Sequence, residues 1–460
     1  MNNKSNISRR QFIRRAAGTA VGAISFPYIV PSSALGRAGG TAASDRITLG
    51  FIGVGGMGTN NMRGFMSNRD VQVVAVCDVV KASDQYGHWY KKGWKGSWFG
   101  REPARNIVEE HYASRKESGT FKGCSAYLDF RQLLARDDID AVCITTPDHW
   151  HAIPVIMAAK AGKDIYCEKP LSLTIAEGRA MVEAVQRHGV VFQTGSHHRS
   201  ADQHLRFVCE LIRNGRIGEL KRIVVFLDGS GIHGPWHPKG VPDDFDYNMW
   251  LGPAAWAPYH EDRCLYSFRY ILDYSGGETT NTGAHCYDIA QWANDTEHTG
   301  PVEIEDLGAE FPRDGLYTAP NKIHFRARYA NGVELINRPF GRGEIQRFAR
   351  FEGTKGWIDA GWRIFRTHPE SLKTSVIGLN EVHLYKSNDH KRNFLDCIKT
   401  RHEPITSVEV GHRSCTVCHL GNIAMMLKRK LRWDPDKEHF INDNEANRML
   451  SKPMRTPWHL

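Results

Sequence analysis

Residues 46–58 read RITLGFIGVGGMG: an apolar run of strand-forming residues ends in Gly53-x-Gly55-x-x-Gly58, and a helical pattern follows. Glycines at that spacing allow a tight turn, close approach of backbone to a pyrophosphate, and close packing of the helix on the strand. A lone glycine triplet is weak evidence. Here a second apolar strand, VQVVAVC (71–77), delivers Asp78 at its end, 20 residues past Gly58. A carboxylate there accepts the ribose hydroxyls of an adenosine and repels a 2′-phosphate, which selects NAD over NADP. The expected cofactor cradle is Gly53, Gly55, Gly56, Met57, Gly58 and Asp78.

The same grammar continues to about residue 195. IDAVCITTP (139–147), DIYCEKP (164–170) and GVVFQTG (189–195) read as buried strands, with amphipathic AIPVIMAAKAG (152–162) and TIAEGRAMVEAVQRHG (174–189) between them. Short apolar strands separated by helices predict a doubly wound parallel sheet, a Rossmann arrangement in the α/β class. The stretch 86–106, rich in Trp, Gly and Lys, reads as an inserted surface loop. From about 218 the period changes. In NKIHFRARYANGVELI, Ile323, Phe325, Ala327 and Tyr329 alternate with polar residues, and Asn331-Gly332 reads as a two-residue hairpin turn. This predicts a second α/β domain with a large, mostly antiparallel sheet. Residues 388–432 turn helical, and 433–460 read as a polar tail on the surface. The expected division is 1–38, 45–195, 196–387 and 388–460.

The net charge of +9 invites a nucleic-acid partner, but residues 1–38 hold six of the nine surplus charges and no acid. The remaining body carries only +3, too little for a nucleic-acid footprint. SRRQFIRR (8–15) is a twin-arginine pattern followed by a short run of small apolar residues, so residues 1–38 read as an export signal. The expected location is periplasmic or otherwise extracytoplasmic, with no membrane span in the mature protein. Twin-arginine export carries folded passengers, which fits a cofactor acquired beforehand. Ten cysteines in an exported chain suggest disulfides, yet Cys77, Cys143 and Cys167 sit inside apolar strands, so mostly free thiols are expected.

CEKP (167–170) ends a strand at the carboxyl edge, where open α/β sheets bind ligands, and sets Glu168 and Lys169 there. NTGAHCYD (281–288) places Asn281, His285 and Asp288 at helical spacing. That trio reads as a proton-transfer site, a metal site, or a helix start with a buried histidine. Histidines recur at 149 and 151, 197 and 198, and 233 and 237, none at a recognised zinc spacing, so no metal is expected. His198, Trp236, His237, Tyr266 and Asp288 are candidate substrate contacts, with plain packing the competing role. CTVCH (415–419) matches a haem-attachment string but lies in a long amphipathic helical pattern and is read as core.

These motifs, in this order with TTPDHWHAIP (145–154), resemble the Gfo/Idh/MocA family of glucose-fructose oxidoreductase and inositol dehydrogenase relatives, over roughly residues 46–430. The resemblance implies a Rossmann domain, then an α/β domain whose sheet often mediates assembly into a dimer or tetramer. It implies that Thr146, Pro147, His149, His151 and Glu168 belong to the cofactor site, that Lys169 sits near nicotinamide and the substrate hydroxyl, and that His285 is the acid/base. The family's usual Asp four residues before that histidine is Asn281 here. The resulting expectation is an exported NAD-dependent oxidoreductase acting on a sugar, polyol or sugar derivative, with the cofactor retained. The alternatives are an NAD-dependent glycoside hydrolase and a non-catalytic sugar-binding relative.

Overall fold

The computed structural model describes residue 42 and residues 45–85, 97–341 and 348–460. Residues Met1–Arg46 and Ile47–Leu460 form two separate units. The twin-arginine segment, residues 1–38, lies outside the described residues, as do residues 86–96 of the expected loop.

Within Ile47–Leu460 the first sheet has six strands: β1 (Ile47–Ile52), β2 (Val71–Cys77), β3 (Ser125–Tyr127), β4 (Ala141–Ile144), β5 (Asp164–Cys167) and β6 (Phe192–Thr194). Their order is β3-β2-β1-β4-β5-β6, with every pairing parallel. The strands are near-continuous apolar runs because helices cover both faces. The order reverses direction between β1 and β4, and their carboxyl ends open the crevice where such sheets bind ligands. Helix Ile175–His188 shows how sharply local sequence sets boundaries. Thr174 and Glu177 form a reciprocal capping box at its start, and Gly189 closes it at φ +62°.

The second sheet has nine strands: β7 (Leu220–Phe226), β8 (Pro301–Asp306), β9 (Phe325–Tyr329), β10 (Glu334–Arg338), β11 (Ala349–Gly353), β12 (Trp357–Gly361), β13 (Ile364–His368), β14 (Leu431–Asp434) and β15 (His439–Phe440). The order is β13-β12-β11-β7-β10-β9-β8-β14-β15, and only β7 and β10 run parallel. Ile323, Phe325, Ala327 and Tyr329 are buried, as the alternation requires. They pack with Tyr287, Val417, Leu420 and Ile423 of helices Gly283–Ala293 and Val408–Leu427 in one core. Gly421 lets the latter helix approach closely: a Cβ there would lie 2.6 Å from the Phe325 ring. Among the described residues no helix is long and apolar enough to cross a membrane.

Several details depart from the sequence reading. The β9–β10 hairpin has a three-residue loop, since Tyr329 N–H donates to Val333 O and Gly332 N–H to Tyr329 O. Gly332 at φ +84° closes a turn-plus-bulge, so asparagine-glycine alone did not set loop length. Residues 101–106, read as loop, begin helix Arg101–Ala113. The polar tail is not merely superficial: Trp433 and Phe440 are fully buried where β14 and β15 extend the second sheet. Helix Val408–Leu427 is buried on nearly every side rather than amphipathic. Cys415, Cys418 and His419 lie in its core, with the His419 ring 3.0 Å from Ser172 O and 3.3 Å from Cys415 Sγ. All ten cysteines are free and buried.

Candidate active site

A cavity of about 640 Å³ runs along the carboxyl edge of the first sheet. At one part it is lined by the glycine loop, and the conformation there explains the glycines. Gly53 has φ +82°, and a Cβ on it would lie 2.7 Å from the Thr145 backbone. A Cβ on Gly58 would lie 1.9 Å from Gly53 O. Helix Gly56–Met66 starts with no side-chain cap and no acid in its first turn, so its amide end faces the cavity as an anion-binding pole. Asp78 is buried beside it. Its Oδ2 accepts the Val54 amide at 2.7 Å and its Oδ1 the Val80 amide at 2.8 Å. The carboxylate keeps acceptor capacity for a ribose hydroxyl. Burial raises the Asp78 carboxyl, and the Val80 and Val54 amides pull the other way. The loop, the helix pole and the carboxylate fit a nicotinamide dinucleotide. Thr146 and Pro147 line the same wall.

At another part the cavity is lined by Glu168, Lys169, Asn281 and His285. Glu168, buried at the end of β5, accepts from Asn61 Nδ2 at 2.9 Å and so ties the first helix to this edge. Lys169 Nζ donates to Asn281 O at 3.0 Å and to Asn281 Oδ1 at 3.2 Å. Two of its three protons are thereby placed and one is left for a ligand. The amide's other end donates to both carboxylate oxygens of Glu278, at 3.1 and 3.2 Å. Asn281 therefore bridges a cation and an anion. The charge expected at 281 sits one helical turn earlier, at a residue the sequence reading passed over. Burial lowers the Lys169 ammonium below its ordinary value of 10.5, with the Arg269 charge adding to this and Glu168 opposing it.

His285 opens helix Gly283–Ala293 and is buried, with no hydrogen-bond partner at Nδ1. Burial holds it well below its ordinary 6.5, and the neighbouring Lys169, His198 and His197 act the same way. It is a neutral base at physiological pH. Behind it stands His198, ring centroids 4.4 Å apart at 79°. His198 Nδ1 lies 2.7 Å from Asp202 Oδ2 and 3.2 Å from Trp362 Nε1. One ring nitrogen cannot donate to the carboxylate and accept from the indole, so the shorter contact assigns the proton to Nδ1. His198 Nε2 is left buried and unpaired, like His285 Nδ1. An unpaired buried polar atom costs about 1–3 kcal/mol, and two adjacent ones mark a place where polar groups are held for use.

Not all expected residues reach the cavity. Tyr266 does, under the Arg269 guanidinium at 4.4 Å from the ring. His149 and His151 do not line it. His149 contacts Trp250 O at 2.9 Å, and burial pushes it down to about 4. His151 contacts Pro170 O at 2.8 Å and Thr146 O at 2.9 Å, so it braces the loop from behind. His198 is one layer back, and its neighbour His197 lines the cavity instead. Trp236 packs under Arg263, and His237 is exposed. Asp288 faces away from His285 into a buried pair with Arg199 at 2.7 Å, joined by Ser414 at 3.0 Å. Glu278, Arg269, His197 and Trp362 line the cavity and were missed, because nothing in their local sequence marks a surface that only the tertiary fold assembles.

Residues 231–460 match the model of an oxidoreductase family's C-terminal alpha/beta domain, and residues 99–196 match the same family's NAD-binding Rossmann fold. The chain is similar to 2,7-anhydro-N-acetylneuraminate hydratase of Mediterraneibacter gnavus, 37% identical over 21% of this chain and 26% of that one. It is also similar to an alpha-N-acetylgalactosaminidase of Shewanella oneidensis, 27% identical over 47% and 44%. It thus spans less than half the length of these curated relatives. Among solved structures, an aldose-aldose oxidoreductase from Caulobacter crescentus complexed with glycerol shares the fold at TM-score 0.56 and 19% identity, over 84% of this chain and 99% of that one. So does the WlbA dehydrogenase from Bordetella pertussis in complex with NADH and UDP-GlcNAcA, at TM-score 0.56 and 17% identity over 85% and 99%. With residues 231–460, half of the chain, matching one domain of the family and residues 99–196 matching the other, the chain belongs to the Gfo/Idh/MocA oxidoreductase family.

Proposed function

We propose that this chain oxidises or reduces a hydroxyl-bearing carbon of a sugar, polyol or sugar derivative, using NAD that it keeps bound. The carrying observation is that one cavity holds both the glycine loop with Asp78 and the Lys169–Asn281–His285 group. When bound, the nicotinamide supplies a hydride acceptor and donor. The chain's own residues handle the proton. Lys169 holds the substrate oxygen with its free N–H, Asn281 and Glu278 fix the lysine, and neutral His285 takes the hydroxyl proton at Nε2, the ring nitrogen its buried Nδ1 leaves available. His198 and Asp202 act through His285 as a positioning pair. Asp202 lies below the usual carboxylate range because His198 donates to it, so its negative charge supports the imidazolium that forms.

The pH dependence follows with a definite sign. His285 works neutral and is lost as a base when it protonates, so the acid limb of kcat/KM for hydroxyl oxidation lies below pH 6.5. Lys169 works protonated, so the alkaline limb lies below pH 10.5. Asp202→Asn removes the supporting charge and moves the acid limb to still lower pH, with a lower plateau. An unmoved limb would show that Asp202 plays no part.

NAD is the proposed form, on the strength of Asp78. Asp78→Ala removes a charged acceptor worth about 1.5–3 kcal/mol per hydrogen bond. NAD affinity should fall roughly tenfold or more, with the preference over NADP narrowing, as read by fluorescence titration of both nucleotides. Unchanged discrimination would contradict the assignment.

A second reading is favoured by the relatives that carry glycosidase and hydratase names: a redox-neutral cleavage in which oxidation is transient. The holoprotein with chromogenic glycosides and no added cofactor separates the two. Aglycone release without net reduced cofactor supports cleavage, and a keto-sugar with the glycoside intact supports the oxidoreductase. A protein that purifies without nucleotide and binds none would instead be a non-catalytic sugar binder. The twin-arginine pattern supports export and a retained cofactor, since free NAD is scarce outside the cytoplasm. A reporter fused to residues 1–38, with Arg9 and Arg10 changed to Lys, tests it. The homo-oligomer implied by the family resemblance belongs to this reading and is read by light scattering.

A further inference from the structure

His233, in the segment after β7, meets His260 and Asp262 at the start of the short helix Glu261–Arg263, outside the proposed active site. Their nitrogen and oxygen ligand atoms lie within 4.8 Å of one another. His233 Nδ1 lies 3.0 Å from Gly234 O, and a neutral ring with its proton there donates to that carbonyl. Its Nε2 then presents a lone pair, yet faces another acceptor, Asp262 Oδ2, at 3.1 Å. His260 Nδ1 accepts the Asp262 amide at 3.1 Å, so it carries no proton, and its lone pair, 3.8 Å from Asp262 Oδ2, is one that an ion would take over from that amide. Asp262 Oδ1 is buried with no hydrogen-bond partner. Three electron-pair donors thus converge, and the hydrogen placed among them is that of the Asp262 amide.

We propose that His233, His260 and Asp262 bind a divalent transition-metal ion of the zinc class. Two imidazole nitrogens and one carboxylate oxygen suit such an ion and leave an open position. Bonds of about 2.0–2.1 Å at a tetrahedral angle set ligand atoms roughly 3.3 Å apart; the observed 3.1 and 3.8 Å bracket this. The Gly234 carbonyl behind His233 is the outer-shell acceptor that fixes a ligating imidazole's tautomer.

The ion joins two segments that also wall the cavity. Asp228 and Gly229 lie a few residues before His233, and Leu265, Tyr266 and Arg269 follow Asp262. The ion's role is to clamp this wall, which no residue spacing reveals because the ligands come from positions 233, 260 and 262. The cluster is independent of what the cavity turns over.

The test is metal content of the purified full chain, by mass spectrometry after dialysis, with Co(II) titration of the chelator-treated protein as a spectroscopic probe. One equivalent of metal, a visible Co(II) band with nitrogen and oxygen ligation, and loss of both in His233→Ala and Asp262→Asn support the site. Chelator should also lower the melting temperature of the wild-type chain, a readout that needs no variant to fold. Failure of Co(II) and Zn(II) to bind stoichiometrically overturns the site and leaves a proton on His233 as the bridge to Asp262. Metal that persists in both variants overturns it equally.

Discussion

His285→Asn slows turnover of the hydroxyl substrate by roughly 10²–10⁴-fold, the usual contribution of a positioned acid or base, while the bound nucleotide stays in place. Asparagine keeps polarity and approximate size but takes up no proton. No neighbour replaces it well. His197 lines the same cavity, but burial pushes it down to about 3, too weak a base near neutrality. Lys169 is committed to Asn281. The loss should fall on kcat and on kcat/KM together, since the interaction is made in the transition state. Nucleotide content, measured on the same preparation, separates this from a folding defect. Activity within tenfold of the parent would move the base to another residue.

Gly58→Ala abolishes stable nucleotide binding. The new Cβ would sit 1.9 Å from Gly53 O, a backbone atom that cannot rotate away, and Gly53 itself is held at φ +82° against Thr145. The loop must open, and the amides aimed at the pyrophosphate lose their geometry. Losing two such charge-assisted bonds, about 1.5–3 kcal/mol each, weakens binding roughly 100-fold or more. Gly231→Ala is the control, because a Cβ there meets nothing within 4 Å. The ratio of nucleotide to protein after gel filtration reads both variants. A fully loaded Gly58→Ala protein would contradict the cradle.

Much of this fold was legible because periodicity and punctuation agree locally. Five of the six parallel strands, Gly189 as a helix stop and the buried face of β9 follow from short windows, whereas β3, only three residues long, carries no apolar run to mark it. The chain-order motifs also placed Lys169 and His285 on one cavity. What failed depended on long-range packing. His149 and His151 look like cleft residues by spacing, but their rings turn to carbonyl oxygens of distant segments. Asp288 shares a helix with His285 yet points to Arg199. Asn281 reads as a lost acid, whereas the structure shows an amide holding Lys169 on one side and Glu278 on the other. An acid at 281 would press against Glu278 and lose the donor that binds it.

The central claim, a nicotinamide dinucleotide held in the same cavity as Lys169 and His285, is tested most directly by releasing and identifying whatever nucleotide the purified, full-length protein carries. The account predicts NAD or NADH at close to one per chain, recovered by mass spectrometry after denaturation and lost in Gly58→Ala. A chain that yields no nucleotide and takes none up, or that carries a different cofactor, would contradict it.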